Sequence, residues 1–112
     1  QGSAVVVAGS GNEFSKLTGI ATDAVGNFYL ADAVKSVIFR VTSLGAVSIF
    51  AGDSGVAGFR DGSTLEARFN GPRGLTRDSA GNLFVADTGN MAIRKMDTSG
   101  NVTTLILTEA GD

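Results

Sequence analysis

The chain has 112 residues, a length typical of one domain, with 43% hydrophobic and 18% charged residues and a formal net charge of −2. It contains no Cys and no His, which excludes a disulfide framework and a thiolate metal site and removes the commonest general base at neutral pH. The sequence shows neither a basic run nor an apolar run of roughly 18–20 residues, so we expect no nucleic-acid partner, no membrane-spanning segment and no cofactor.

Two short segments precede the main body of the sequence. Gln1-Gly2-Ser3 is typical of the remnant of a cleavable expression tag. Residues 4–9, Ala-Val-Val-Val-Ala-Gly, are similar to Val47–Gly52 later in the chain. Because an unpaired apolar strand leaves its backbone groups without partners, we expect residues 4–9 to pair as an additional outer strand at the edge of a sheet.

An internal repeat organises the rest of the chain. When the sequence is shifted by 55 positions, Thr18–Gly52 overlays Arg73–Leu107 without a gap, and Phe14 falls on Phe69. Glycines, asparagines and aspartates coincide throughout this overlay. Self-similarity of this length predicts a repeat architecture, in which each copy is one supersecondary unit.

Each copy predicts four short antiparallel strands. In the first copy they are Gly19–Asp23, Phe28–Ala31, Val37–Val41 and Val47–Ala51, and in the second they are Gly74–Asp78, Leu83–Ala86, Ala92–Met96 and Val102–Leu107. The second strand of each copy is apolar at every position, which predicts that both of its faces are covered. The side chains that we expect to be largely buried are Phe28, Leu30, Ile38, Phe84, Val85 and Ile93.

The turn after the first strand contains an aspartate in both copies. This turn comprises Asp23–Asn27 in the first copy and Asp78–Asn82 in the second. An Asp side chain accepts hydrogen bonds from backbone N–H groups further along its own turn, and Gly adopts positive φ. We therefore interpret the following as structural turn residues: Asp23, Gly26, Asn27, Asp78, Gly81 and Asn82.

The two copies differ in the segment before their first strand. The second copy carries 12 additional residues, which lie within Asp53–Arg68. Within them Ser63-Thr64-Leu65-Glu66 has the form of a capping box, so we expect Thr64–Phe69 to make one helical turn.

Two stretches of the second copy resemble a known repeat family. Gly81–Lys95 reads Gly-Asn-Leu-Phe-Val-Ala-Asp-Thr-Gly-Asn-Met-Ala-Ile-Arg-Lys, which resembles the core of an NHL repeat, usually written GNLYVADTGNHRIRKI. Gly58–Gly62 and Ala67–Leu75 resemble the segment that joins neighbouring blades in this family. The resemblance implies an all-β fold of two four-stranded antiparallel blades of a β-propeller, with the first strand of each blade innermost.

The resemblance also implies boundaries and an assembly. Residues 10–52 would form blade 1 and residues 53–112 blade 2 with its insertion, while residues 4–9 would be an outer strand of a further blade. NHL propellers commonly have six blades, and two blades alone leave two apolar faces and unpaired strand edges. We therefore expect the chain to have itself as a partner, with three copies forming a closed six-bladed ring as a homotrimer.

The family's characteristic histidine is absent from both blades. The Asn-His pair of the motif is Asn90-Met91 in the second copy and Lys35-Ser36 in the first. The resemblance therefore carries over the fold but implies no site built on that histidine, and we expect neither a catalytic residue nor a metal site.

Five residues are candidates for ligand binding. Asp32 and Asp87 end the second strands, where a carboxylate either holds Ca²⁺ or caps the turn that follows. Arg60 and Arg73 either bind a carboxylate or phosphate or pair with neighbouring acids. Phe59, in the insertion, is the aromatic residue that remains open for stacking on a ligand.

Three functions are compatible with these features. The leading hypothesis is a non-catalytic interaction or scaffold module that self-assembles and binds a protein, a peptide or a small polar ligand on its loop face. The first alternative is an engineered or excised propeller unit with no ligand. The second is a carboxylate- and Ca²⁺-dependent enzyme, since related propellers include lyases and hydrolases with metal sites.

Overall fold

The computed structural model describes residues 14–105, which form two antiparallel β-sheets. The predicted N-terminal strand, residues 4–9, lies outside the described residues. The described part of the chain contains one turn of 3₁₀ helix, Thr88–Asn90, and no helix in it is long and apolar enough to cross a membrane. The predicted all-β class is confirmed.

Blade 1 is a four-stranded meander in which strands that follow one another in sequence are hydrogen-bonded neighbours. Its strands are β1 (Leu17–Thr22), β2 (Phe28–Asp32), β3 (Val37–Val41) and β4 (Val47–Gly52). These bounds agree with the predicted strands to within one or two residues, because Gly26 and Gly45 allow two of the chain reversals and Asp32, which ends β2, caps the third.

Blade 2 repeats this meander and adds one short strand. Its strands are β5 (Gly62–Ser63), β6 (Pro72–Arg77), β7 (Leu83–Asp87), β8 (Ala92–Met96) and β9 (Asn101–Leu105). The spatial order is β5-β9-β8-β7-β6, so the insertion supplies a fifth strand beside the outer strand. The prediction of four strands is therefore wrong for blade 2, because the backbone of the insertion pairs with an edge that the repeat alone leaves open.

The insertion contains the predicted capping box but a shorter turn than predicted. Glu66 N donates to Ser63 Oγ, and Ser63 N donates to Glu66 Oε1, both at 3.3 Å. Two backbone hydrogen bonds close this turn, from Glu66 N and Ala67 N to Ser63 O, at 3.0 and 2.9 Å. Arg68 then returns to an extended bridge, because the next residue, Phe69, is completely buried in the core between the blades.

The main core lies between the facing sheets of the two blades. Ten buried side chains form it: Ala21, Ala31, Ile38, Ala51, Ala67, Phe69, Leu83, Val85, Met96 and Val102. Blade 1 contributes mostly small residues to this core and blade 2 mostly large ones. At the inner edge, a Cβ atom on Gly19 would lie 2.7 Å from the carbonyl oxygen of Arg73, so glycine is what allows β1 and β6 to lie this close.

The predicted burial is only partly confirmed. Leu30, Ile38 and Val85 are buried, whereas Phe28 is 38% exposed and Phe84 and Ile93 are half-buried. These last three side chains lie on sheet faces that point away from the other blade. The continuous apolar pattern of the second strands thus predicted that neighbours cover both faces of each strand. Within the described residues, the sheets are covered at these positions only on the face that points toward the other blade.

Candidate functional site

The turn aspartates are held by their own turns. Asp23 Oδ1 accepts hydrogen bonds from the backbone N–H groups two and four residues further on, at 3.0 and 2.9 Å. Asp78 Oδ1 accepts the equivalent bonds at the same distances. The glycines of these turns, Gly26 and Gly81, have φ of 96° and 95°. These are the contacts that the interpretation as structural turn residues predicts.

Hydrogen bonding keeps the turn carboxylates ionised. Partial burial raises the pKa of Asp23, but hydrogen bonds from Asn27, Val25 and Tyr29 outweigh this effect and lower the pKa to about 2. The side-chain and backbone hydrogen bonds from Asn82 likewise lower the pKa of Asp78. Both carboxylates are therefore fixed acceptors at neutral pH and unsuited to proton transfer there.

A third turn of this kind escaped the sequence reasoning. Asp97 Oδ1 accepts hydrogen bonds from Ser99 N at 2.9 Å and Asn101 N at 3.0 Å in the turn between β8 and β9. The signal was present in the sequence, since Asp97-Thr98-Ser99-Gly100-Asn101 has the same Asp, Gly and Asn spacing as Asp23–Asn27. The repeat concealed it, because Thr42 occupies the corresponding position in blade 1.

Asp32 lies buried at the end of β2, where backbone groups saturate its carboxylate. It accepts four N–H donors at 2.6–3.1 Å: Ser15, Lys16, Val34 and Lys35. Burial raises the pKa of Asp32, but these four hydrogen bonds outweigh burial and lower it. The carboxylate thus joins the segment before β1 to the turn after β2, and the geometry supports the capping interpretation over the ligand-binding one.

Asp87, the corresponding residue of blade 2, is equally buried but has different partners. Its carboxylate accepts hydrogen bonds from Asn70 N, Asn90 Nδ2 and Arg94 Nη1, each at 2.8 Å. Neither oxygen faces solvent, since the side chain is 0% exposed. The structure therefore supports an internal structural role for Asp87 as well, and an ion pair fulfils it.

Arg94 is the largest completely buried side chain among the described residues and the centre of this network. Besides Asp87, its guanidinium binds Asp61 Oδ1 at 2.9 Å and the carbonyl oxygens of Arg60 and Arg68 at 2.6 and 2.8 Å. Three of these four acceptors belong to the insertion. The insertion therefore wraps around the guanidinium and neutralises it in the interior.

Two aromatic rings complete this cluster. The rings of Phe59 and Phe69 have their centroids 5.0 Å from Arg94 Cζ, a distance at which a guanidinium is attracted to the ring face. Phe59 remains 58% exposed, so it covers the guanidinium from the outer side. Sequence reasoning singled out Phe59 but not Arg94, although Arg94 lies within the stretch that resembles the NHL core.

The five candidate residues therefore do not converge on one ligand site. Phe59, Arg60 and Asp87 meet at Arg94, and Arg60 takes part there through its backbone carbonyl. Asp32 lies in the other blade, and Arg73 lies exposed on β6. Among residues 14–105, no three metal-ligating side chains come together.

The outward face of blade 2 is open and apolar. It holds a shallow depression of about 250 Å³, lined by Gly74, Leu75, Thr76, Phe84, Val85, Ala86 and Ile93. In the 55-residue overlay, the half-buried or exposed residues Phe84, Ala86 and Ile93 correspond to Tyr29, Ala31 and Ile38. Those residues of blade 1 pack against blade 2. Blade 2 thus presents to solvent the face that blade 1 buries.

The outward face of blade 1 complements this arrangement. Ile20, Phe28 and Ile49 are 58%, 38% and 39% exposed, and they alternate along their strands with the side chains that face blade 2. The blade 2 counterparts of Ile20 and Phe28 are Leu75 and Leu83, which pack in or against the main core. The exposed face of each blade therefore corresponds, position by position, to the face that is buried in the other blade.

Comparison with known proteins is consistent with this architecture. Residues 69–96 match the family described as NHL repeat. Over 83 residues, 74% of this chain, the sequence is 35% identical to Protein SUPPRESSOR OF QUENCHING 1, chloroplastic, from Arabidopsis thaliana. The chain spans 8% of the length of that plant protein.

Two solved structures share the fold. A Bacteroides thetaiotaomicron protein of unknown function has 33% identity and a TM-score of 0.66 over 70% of this chain and 20% of its own. Virginiamycin B lyase from Staphylococcus aureus has 14% identity and a TM-score of 0.64 over 88% of this chain and 29% of its own. The likeness to the lyase concerns the fold alone. An NHL repeat is thus matched in blade 2, and blade 1 overlays it, which is consistent with two blades of an NHL-type β-propeller.

Proposed function

We propose that this chain is a non-catalytic scaffold module whose copies associate head to tail through their open blade faces and complete a propeller ring. The observation that carries this proposal is the equivalence of the faces. The open face of blade 2 has the composition that blade 1 uses to bind blade 2, and the open face of blade 1 is of the type that blade 2 uses in return. The junction between two copies would thus resemble the junction between blade 1 and blade 2 within one chain.

The inner strands support the same arrangement. Gly19 allows β6 to approach β1 closely, since a Cβ atom there would lie 2.7 Å from the carbonyl oxygen of Arg73. Gly74 occupies the corresponding position in blade 2, where a Cβ atom would meet only the Cβ of Ala86, at 3.3 Å. Gly74 therefore leaves room on β6 for the first strand of a neighbouring blade.

The number of copies follows from closure. A head-to-tail interface repeats until rotation closes the ring or an open filament results. With two blades in each chain, three copies give the six blades that are common in the NHL family. A closed trimer leaves no unpaired blade face, whereas a dimer of four blades requires a larger rotation at each interface.

We propose that a protein or peptide partner binds the loop face of the ring. Asn90 Nδ2 donates to Gly58 O at 2.8 Å, which brings the neighbouring residues Met91 and Phe59 to the same end of blade 2. These two side chains are 89% and 58% exposed. Exposed Met and aromatic residues are typical of interaction surfaces, and a non-catalytic role is consistent with carboxylates that are already engaged in turns and ion pairs.

Multi-angle light scattering of the whole chain tests the assembly. We expect a mass three times the 11.4 kDa of one chain. Ile93→Glu places a charge on the open face of blade 2 and should give a folded monomer, since the side chain is already partly solvated. Leu44→Glu is the matched control, because Leu44 is exposed in the β3–β4 turn and this variant should remain a trimer.

Two outcomes would contradict the proposal. A monodisperse monomer of the unmodified chain at high micromolar concentration would show that the open faces do not bind each other. An oligomer that persists in Ile93→Glu would show that association uses another surface.

A further inference from the structure

A cavity of about 550 Å³ lies between the two blades, at the end where the β1–β2 and β8–β9 turns meet. Its walls come from β2, β3, β4 and the β1–β2 turn of blade 1, and from strands and turns of blade 2. It is separate from the Arg94 cluster and from both open faces. Because both walls belong to one chain, the cavity exists without any assembly.

Two arginines line this cavity from opposite blades. Arg40 lies on β3 of blade 1 and Arg77 ends β6 of blade 2. Among the described residues, neither guanidinium lies within ion-pair distance of a carboxylate, whereas Arg68 and Arg94 do. The Nε atom of Arg40 is buried and has no hydrogen-bond partner. Unmatched donors on partly buried cations are costly, and an anion that accepts from them removes this cost.

The acidic residues of the cavity do not fill this role. Asp23 Oδ2 accepts hydrogen bonds from Asn27 Nδ2 at 2.8 Å and from the Tyr29 hydroxyl at 3.2 Å. Asp97 accepts the backbone N–H groups of its own turn. Both carboxylates are held away from the arginines by their turns. They also limit the ligand, because a large polyanion would be repelled by two fixed negative charges in the lining.

The two arginines are not a feature of the repeat. In the 55-residue overlay, Arg40 corresponds to Lys95, and Arg77 corresponds to Thr22. The fold therefore does not require this pair, and a junction between blade 2 and blade 1 of another copy would not reproduce it. An arginine pair that the fold does not need, facing a cavity between two blades, points to a ligand.

We propose that this cavity binds a small oxyanion, a carboxylate or a phosphate group, which is bridged between the guanidinium groups of Arg40 and Arg77. A planar guanidinium donates two parallel N–H groups to either kind of oxyanion. The Tyr29 hydroxyl, already donating to Asp23, holds the wall beside Arg40 in place. The ligand lies across the interface of the blades and so stabilises their packing.

The test is a titration of the whole chain, followed by NMR and calorimetry, with inorganic phosphate in one arm and acetate in the other at constant ionic strength. We expect saturable shifts of the Gly81 and Gly100 amides, which line the cavity, with at least one of the two probes. The arm that saturates identifies the class of oxyanion. Arg40→Gln and Arg77→Gln should each weaken binding about tenfold, the loss typical of one charge-assisted hydrogen bond.

Arg73→Gln is the matched control, because Arg73 lies exposed on the same strand as Arg77 and should not affect binding. Arg77→Lys keeps the charge without the planar geometry and should bind with intermediate affinity, which keeps the test valid if a glutamine variant folds poorly. Shifts that never saturate with either probe, or an equal loss of binding in Arg73→Gln, would overturn the proposal.

Discussion

Blade 1 and blade 2 share strand order and turn geometry, but they differ at the centre of the third strand. Blade 1 has Phe39 there, and its ring packs edge-to-face on Phe14 with centroids 5.0 Å apart. Blade 2 has Arg94, which lies 5.0 Å from the ring of Phe69, the counterpart of Phe14. The same aromatic position thus packs against a ring in one blade and a guanidinium in the other.

The difference extends to the buried aspartate beside each centre. In blade 1, where Phe39 takes the place of Arg94, Asp32 has four backbone N–H groups as partners. Asp87 pairs with Arg94 and, among the described residues, accepts one backbone N–H group. The repeat therefore fixes where the carboxylate lies, and the neighbouring side chain decides what neutralises it.

This comparison gives the insertion a structural reason. A buried guanidinium needs acceptors in several directions, and Asp87 provides one. The insertion supplies Asp61 and the carbonyl oxygens of Arg60 and Arg68. An arginine in the core of a blade is stable only with such partners, and the corresponding segment before β1 is 12 residues shorter. The added segment and the arginine therefore belong together.

The largest expected effect is the loss of Arg94. Arg94→Met keeps most of the buried volume but leaves Asp87 as an unpaired buried charge, which should lower the free energy of unfolding by about 3–5 kcal/mol. Phe39→Met makes the same replacement at the corresponding position of blade 1, loses ring packing without leaving a buried charge unpaired, and should cost roughly 1–2 kcal/mol. Urea unfolding of the two variants measures both values. Equal losses would mean that the ion pair contributes no more than ring packing does.

The next effect distinguishes the two inner-strand glycines. In Gly19→Ala the new methyl group meets the carbonyl oxygen of Arg73 at 2.7 Å, so the inner strands must separate, at about 1–3 kcal/mol. In Gly74→Ala the contact is with the Cβ of Ala86 at 3.3 Å, and the unfolding free energy of a single chain should hardly change. Light scattering of Gly74→Ala should instead show weaker association. A Gly19→Ala variant as stable as the parent would contradict the close packing of β1 and β6.

The sequence was sufficient for the features that depend on local chemistry. The Asp and Gly residues of the β1–β2 turn, the capping box at Ser63 and the strands of the meander all follow from neighbours within a few positions. The pairing of β5 with β9 did not, because it joins Gly62 to Val102 and no local signal marks so distant a partner. Arg94 was missed for a different reason, since a charged residue in a strand normally indicates a solvent-exposed position.

The smallest expected effect concerns the third turn aspartate, which blade 1 lacks. Hydrogen bonds from the backbone of Asn101 lower the pKa of Asp97, whereas Thr42 occupies the corresponding position in blade 1 and accepts a bond from Ala46 N at 3.1 Å. A carboxylate with a pKa below that of the unfolded chain adds stability above the unfolded value, and this stability is lost as the pH falls through the folded pKa. Asp97→Thr makes blade 2 resemble blade 1 at this turn.

We therefore expect Asp97→Thr to lower the melting temperature at pH 7 by a few degrees at most, in the range of a weakened local capping bond. The difference from the parent chain should shrink as the pH falls below about 4, because the parent then protonates Asp97 and loses the charged acceptor. Asp23, Asp32 and Asp78, whose pKa values are also lowered, remain in both proteins, so both should still be destabilised by acid. Thermal melts of the two proteins between pH 7 and pH 2 measure this convergence. A difference that stays constant over that range would show that Asp97 acts through its shape and not through its charge.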